Sequence, residues 1–284
     1  MNRLKIPYSR HQRQSGFTLV ELMVAMTLGL LISFFASEIL ITSNRNASVS
    51  KDLTQAQEAG RYAISYLNRS LMKAGFSEDG ALTQPFESTC ADPSSPGMCT
   101  LDTDSGNGDR IAIRRTVTTA DNLDCTGAAL GAADGTEVTD VFWVASDDDG
   151  TYLQCQTWRS ADATALITAQ TLASGVEALQ ALYGVSLCET SGTSRRNVSA
   201  YLAADEIDSP PAAFTAVTCS DGTAAMVEWS RVYAVKVALL TRAPSATMGA
   251  AESRGYTLLD AAPYRFDDQY TRQVFSSTVA RANF

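Results

Sequence analysis

A continuous apolar run, Phe17 to Ile41, constrains this chain more than any other feature. It reads FTLVELMVAMTLGLLISFFASEILI, 25 residues without a lysine or arginine. About 20 apolar residues cross a bilayer as a helix. A secretory signal core has roughly 7–15, and no A-x-A-like cleavage site follows this run. The run therefore predicts a membrane-spanning helix. The leader before it, residues 1–16, holds Arg3, Lys5, Arg10 and Arg13 and no acid. Basic flanks stay in the cytoplasm, so the leader is expected there and the body on the far side.

Two acids interrupt the span. Glu38 is near its far end and can reach headgroups. Glu21 lies about one helical turn inside if Phe17 begins the span. Two readings stand. Glu21 snorkels back to the interface beside the leader's arginines, or it has a buried partner, because a charge at mid-bilayer costs about 2.5–3.5 kcal/mol. No cation lies between Phe17 and Ile41. The only one available within the segment would be a new α-amine, made by a cut before Phe17.

The order of residues in SGFTLVELMVAMTLGLLIS resembles the type IV prepilin signal of type IV pilins and type II secretion pseudopilins. A basic leader ends in Gly16, the apolar run follows, and Glu21 is the fifth residue after the cut. The resemblance implies cleavage between Gly16 and Phe17 by a membrane aspartyl prepilin peptidase and N-methylation of Phe17. It also implies that Glu21 meets the N-terminal amine of a neighbouring subunit. The residues themselves allow pairing with the chain's own amine as well. Gly16 has no side chain, so a protease can approach its backbone closely. The leader is longer than in many major pilins, which points to a minor one.

Beyond Ile41 the apolar residues recur at helical spacing. Val49, Leu53, Ala56, Gly60, Ala63, Leu67, Leu71 and Ala74 form one face. Residues 42–75 are thus expected to continue the helix, with Gly75 as its C-cap and Glu58 near Arg61 on its polar side. Thr42, Ser43, Asn44 and Asn46 predict a kink or melted turn near 42–48. Gly29 and Gly60 weaken the helix locally. The stripe is expected to pack on the body; a coiled coil with a partner is the alternative.

Residues 76–284 read as a β-rich head. Strands are expected at 110–117, 137–145, 151–159, 178–185, 228–243 and 271–282. The second and third form a hairpin through an Asp149-Gly150 turn. The stretches 77–109, 186–226 and 244–268 read as loops. Loops this long are unusual unless functional or stapled.

The chemistry available is restricted. The one histidine, His11, lies in the leader, which removes His-dependent triads and zinc sites from the body. Without the leader the chain holds 18 basic and 31 acidic side chains, an unsuitable surface for a phosphate backbone, so no nucleic acid partner is expected. The six cysteines, Cys90, Cys99, Cys125, Cys155, Cys188 and Cys219, contain no C-x-x-C. An even count beyond a membrane segment points to disulfides in an oxidising compartment. Sequential pairing, 90–99, 125–155 and 188–219, is the expectation among fifteen arrangements; buried thiols are the alternative. Asp102, Asp104 and Asp109 in DTDSGNGD are candidate calcium ligands, weighed against a solvated acidic turn. No Glu closes an EF-hand loop there. Asp147 and Asp148 sit in a hairpin turn without a nucleophile, and Trp143, Trp158 and Trp229 are expected in the core. No cofactor and no enzymatic activity are expected.

The body also resembles one family: LDCTG and YLQC around Cys125 and Cys155, GVEALQALYGV, WSRVYAVKVALLTR and RQVFSSTVARANF look like PilW-type minor pilins. That resemblance favours the Cys125–Cys155 pair. It implies an α+β fold, a long N-terminal helix packed on an antiparallel sheet. It implies a structural role in starting assembly of a type IV pilus, at or near its tip. The implied partners are prepilin peptidase, other minor pilins, the major pilin, the inner membrane before assembly, and a tip adhesin. A minor pseudopilin of type II secretion is the nearest alternative. An uncleaved, membrane-anchored periplasmic enzyme or adhesin is an alternative of another class.

Overall fold

The computed structural model describes residues 16–78, 80, 84–90, 97–148, 150–188, 197–246 and 251–283. The chain divides into two units, Met1–Ser50 and Lys51–Phe284. Helix α1 (Leu19–Met72) begins in the first and ends in the second. In the first unit every residue from 16 to 50 is exposed, and the helix there is long and apolar enough to cross a membrane. The helical hydrogen-bonded assignment runs on through 42–48, so the expected interruption does not occur. The polar residues there are all exposed, where they cost a helix only their propensity.

In the second unit, α1 lies on one face of an antiparallel sheet. Ala56, Gly60, Ala63, Leu67 and Leu71 are buried, five members of the stripe read from the sequence. This sheet is built from β6 (Val176–Val185), β7 (Ala200–Leu202), β8 (Val232–Ala246) and β11 (Tyr270–Ala280), in the order β11-β8-β6-β7. Along β8, Val235, Val237 and Leu239 join the core on the helix side. Ala238 and Leu240 face the other way, into a smaller cluster with Leu258, Ala261 and Tyr264. Burial on both faces explains why this strand reads as a nearly continuous apolar run. Gly60 has a specific role: a Cβ there would overlap the ring of Phe275 on β11. The glycine noted in the sequence as a weak helix former is therefore a seat for that ring.

A second sheet contains β1 (Ile111–Thr116), β2 (Glu137–Asp147), β3 (Gly150–Arg159), β4 (Thr164–Ala165) and β5 (Gln170–Ser174), with β5 and β4 both paired to β3. Gly150 is the first residue of β3 and faces Asp147, so it belongs to the ladder; Asp149 is outside the described residues. The two sheets share one chain path. β5 pairs with β3, Gly175 bends the chain, and β6 pairs with β8. Gly175 has φ +78°, and a Cβ would sit 2.9 Å from the carbonyl of Arg242. Its amide donates to Thr151 and its carbonyl accepts from Arg242, at 2.8 and 2.7 Å, tying both sheets to one corner.

The strands expected from alternation all occur, with shifted ends. Two expected loops contain more. The stretch 186–226 holds β7 and the short helices α2 (Ala204–Asp208) and α3 (Ala212–Thr215); 244–268 holds the hairpin β9 (Glu252–Tyr256) and β10 (Tyr264–Asp268). Disulfides join Cys90 to Cys99, Cys125 to Cys155 and Cys188 to Cys219. The second anchors a loop to β3, and Tyr66 of α1 donates to the carbonyl of Cys125 at 2.5 Å. The head is thus an α+β fold in which helix, sheet and stapled loops share one core.

Candidate functional site

Thr18 is the N-cap of α1, and Glu21 is the third residue inside it. The Thr18 hydroxyl accepts the Glu21 amide at 3.2 Å. Glu21 Oε2 accepts both the Thr18 amide and the Thr18 hydroxyl, each at 3.1 Å. This reciprocal arrangement is a capping box, and it satisfies backbone donors that have no partner inside the helix. It was legible as Thr18-x-x-Glu21, a spacing with its own mechanism, beside the membrane question that Glu21 raised. A carboxylate in the first turn also faces the positive end of the helix dipole. Phe17, immediately before the cap, is 89% exposed, and Gly16 is exposed beside it. The bond expected from the sequence to be cut, Gly16–Phe17, therefore lies before the helix, between two exposed residues.

The other candidate residues are placed elsewhere. Asp109 is buried, and its two oxygens accept the amides of Thr103 and Ala181, each at 2.8 Å. It clamps the 102–109 loop onto β6. Burial pushes its carboxyl up to about 8, against the pull of those amides. Asp102 is pushed up to about 7, by burial first and then by Asp205, Asp260, Asp104 and Glu206. Gln180 ties the same region together, donating to the Thr103 carbonyl at 2.7 Å and to the Tyr264 hydroxyl at 2.8 Å. Among the described residues, no group of three or more His, Cys, Asp or Glu is arranged to hold a metal ion. Trp229 packs edge-on against Tyr183 in the core, with centroids 4.9 Å apart, and its indole donates to Asp208.

The sequence reading missed two buried ion pairs. Arg115 meets Asp140 at 2.6 Å, and Asp140 also accepts the Thr157 hydroxyl, which in turn holds the amide of Cys125. Arg272 bridges Glu177 and Asp268, with contacts of 3.1 and 2.7 Å. Both hold elements of the head together. Arg115 and Asp140, and Arg272 and Glu177, are far apart in sequence, so no local pattern announces those contacts; Asp268 is four residues from Arg272.

The comparisons with known proteins agree with the two parts of the chain separately. A family model for a prokaryotic N-terminal methylation motif matches residues 11–37, the segment holding Gly16, Phe17 and Glu21. Among solved structures, the type IV-like pilin TTHA1219 from Thermus thermophilus is similar over 82% of this chain and 95% of its own, at 13% identity and a TM-score of 0.42. No curated protein matches. A model described as Type IV Pilus-assembly protein W matches residues 141–283, half of the chain, from the middle of β2 through the end of β11. The chain with this capped apolar helix and stapled β head belongs to the Type IV Pilus-assembly protein W family and is a structural pilin protein, not a catalytic domain.

Proposed function

We propose that this chain is a minor pilin, made as a membrane-anchored precursor and consumed in the assembly of a type IV pilus. Prepilin peptidase cuts between Gly16 and Phe17, removing the basic leader 1–16, and Phe17 is N-methylated. Residues 17–41 then hold the chain in the inner membrane with the head in the periplasm. In the filament the same helix packs among the helices of other minor pilins and the major pilin. Residues 42–75 carry the head, residues 76–284. Glu21 pairs with the new amine of a neighbouring subunit, and the chain enters at or near the tip, where it helps to start assembly. A tip adhesin is a further partner.

The observation that carries this reading is the methylation motif over residues 11–37, with Glu21 in the fifth position after the cut. The burial of a lone carboxylate in an apolar run needs a cation, and this cut supplies one. Intact-mass analysis tests it. Cells with prepilin peptidase should yield a chain beginning at N-methyl-Phe17; a full-length species in those cells overturns the proposal. Glu21→Ala should be cleaved normally yet recovered in sheared pili at a small fraction of the parent level. Recovery equal to the parent would leave Glu21 a snorkelling carboxylate.

A further inference from the structure

The outer edge of β11 is a long strand edge with no neighbour among the described residues. Its inward partner is β8, and the register fixes which backbone groups are free. The Arg281 amide donates to the Tyr233 carbonyl, and the Arg242 amide donates to the Gly175 carbonyl at the start of β6. Odd-numbered residues of β8 therefore turn toward β11 and even-numbered ones toward β6, because the two directions alternate in an antiparallel ladder. Each odd residue of β8 faces an odd residue of β11, such as Val237 opposite Ser277. Val274, Ser276, Thr278 and Ala280 consequently turn their N–H and C=O groups outward. The side chains of these four residues are exposed as well.

Free strand edges are normally blunted by shortness, charge, proline or a bulge. The other strands of the head follow that rule. β7 has three residues and β4 two. β1 is covered by the 85–87 segment, through Glu87 to Ala112 and Arg114 to Pro85. β5 is five residues with a register shift, and β9 and β10 carry Arg254, Arg265 and Asp267. β11 has eleven residues, no proline, no lysine and no charge from Gln273 to Ala280, and its one irregularity precedes that stretch.

We propose that the outer edge of β11 from Val274 to Ala280 receives an extended, uncharged segment of a different pilus subunit by strand addition. Strand addition takes its affinity from the backbone and its selectivity from alternate side chains. Here those side chains are small and neutral, so a segment carrying charges on the facing side would be disfavoured. A second copy offering its own β11 in antiparallel pairing does not fit. Ala56 lies by Thr241 opposite Gln273, Gly60 by Phe275, and Asn68 donates to Ser277, so α1 after Lys51 runs beside β11 in the same direction. Antiparallel pairing of two β11 edges would set the two α1 segments after Lys51 antiparallel. On the pilin reading above, the segments after Lys51 of neighbouring subunits run side by side in one sense.

This inference rests on the pilin reading above, and the test separates the two. In cells making the pilus, full chains carry a photo-crosslinking residue at Ser276, or the substitutions Ser276→Pro or Thr278→Lys. Proline at 276 removes an outward N–H and leaves the ladder to β8 intact. The lysine keeps every backbone group and adds a charge to the edge. Both variants should be cleaved like the parent and keep its urea midpoint, but fall at least tenfold in sheared pili. The crosslink should join another pilus subunit through an extended segment. Normal recovery of the lysine variant, or a crosslink to a second copy, overturns the edge inference alone. Absence of the parent chain from pili overturns both.

Discussion

The contact between Gly60 and Phe275 gives a prediction whose sign depends on background. In an exposed helix, replacing glycine with alanine is worth about 1 kcal/mol of stability. At position 60 the added methyl group would overlap the Phe275 ring. Overpacking of this kind costs about 1–3 kcal/mol. Gly60→Ala alone should therefore be neutral to destabilising by about 2 kcal/mol, the helix gain being offset or exceeded. Removing the ring removes the conflict. In a Phe275→Ala background, Gly60→Ala should stabilise by about 1 kcal/mol, the propensity value. The coupling between the two sites is then about 1–3 kcal/mol, as expected for residues in contact. The assay is urea unfolding of the detergent-solubilised chain, followed by the fluorescence of its three tryptophans, of which Trp229 is buried beside Tyr183 and Phe86. A change in midpoint at constant slope isolates stability. If Gly60→Ala stabilises equally with and without the ring, then Phe275 swings aside at no cost, and the seat is not a constraint.

Three further outcomes are expected. Asp109 and Asp102 have folded-state carboxyls raised to about 8 and about 7 from 3.8, so the folded chain holds protons that the unfolded chain releases. Their contribution is complete below 3.8 and is lost as pH climbs toward 8. The urea midpoint should therefore fall between pH 5 and 8, on the order of those values, and Asp109→Asn should flatten the fall; a midpoint that rises across this window contradicts the reading. Replacing Cys125 and Cys155 by alanine should cost about 4 kcal/mol from loop closure, against about 3 kcal/mol for the shorter Cys90–Cys99 loop. Non-reducing urea curves that rank them the other way would remove loop length as the cause. Thr18→Ala should remove about 1 kcal/mol of helix capping, so the amides after Thr18 should exchange about fivefold faster in micelles, while Thr18→Ser keeps the parent rate.

Local patterns explain what the sequence made legible. Residues 137–145 and 151–159 alternate and are joined by a short turn, so hairpin and register follow from neighbours. The stripe from Ala56 to Leu71 has one period and one face to bury. What stayed hidden depends on distant chain. β9 reads ESRGY and β10 reads YRFDD, charged and lightly apolar; they pair because Leu258, Ala261 and Tyr264 between and beside them cover the far face of β8. Gly60 looked like a defect until Phe275, more than two hundred residues away, was set against it. Asp109 was read as part of a solvated acidic turn or as a calcium ligand, because its loop is glycine-rich and acidic; it is buried instead. Its oxygens are used by Thr103 and by Ala181, and the second of these could not be guessed from spacing. Around Glu21 the local geometry was not read: the residue closes a capping box with Thr18.

That box bears on how one carboxylate can serve before and after processing. Both cap donors, the amide and the hydroxyl of Thr18, lie on the C-terminal side of the Gly16–Phe17 bond. Under the proposed reading, cleavage leaves them in place, so Glu21 keeps its orientation through the cut. Hydrogen bonds hold the carboxylate but do not neutralise it, and its charge still opposes burial among apolar helices. In the precursor the leader's four basic residues are close along the chain and can balance that charge at the interface. On the proposed reading, cleavage removes them and leaves a single amine on Phe17, one residue before the cap. Glu21 is then a preset anion in an apolar surface, with Oε2 occupied by its own Thr18. A subunit whose amine reaches that carboxylate recovers the cost of burying both charges; one displaced by a helical turn buries them unpaired. The capping box fixes where the anion points, and the unpaired cost fixes the register, so Thr18 and Glu21 should act on assembly as one unit.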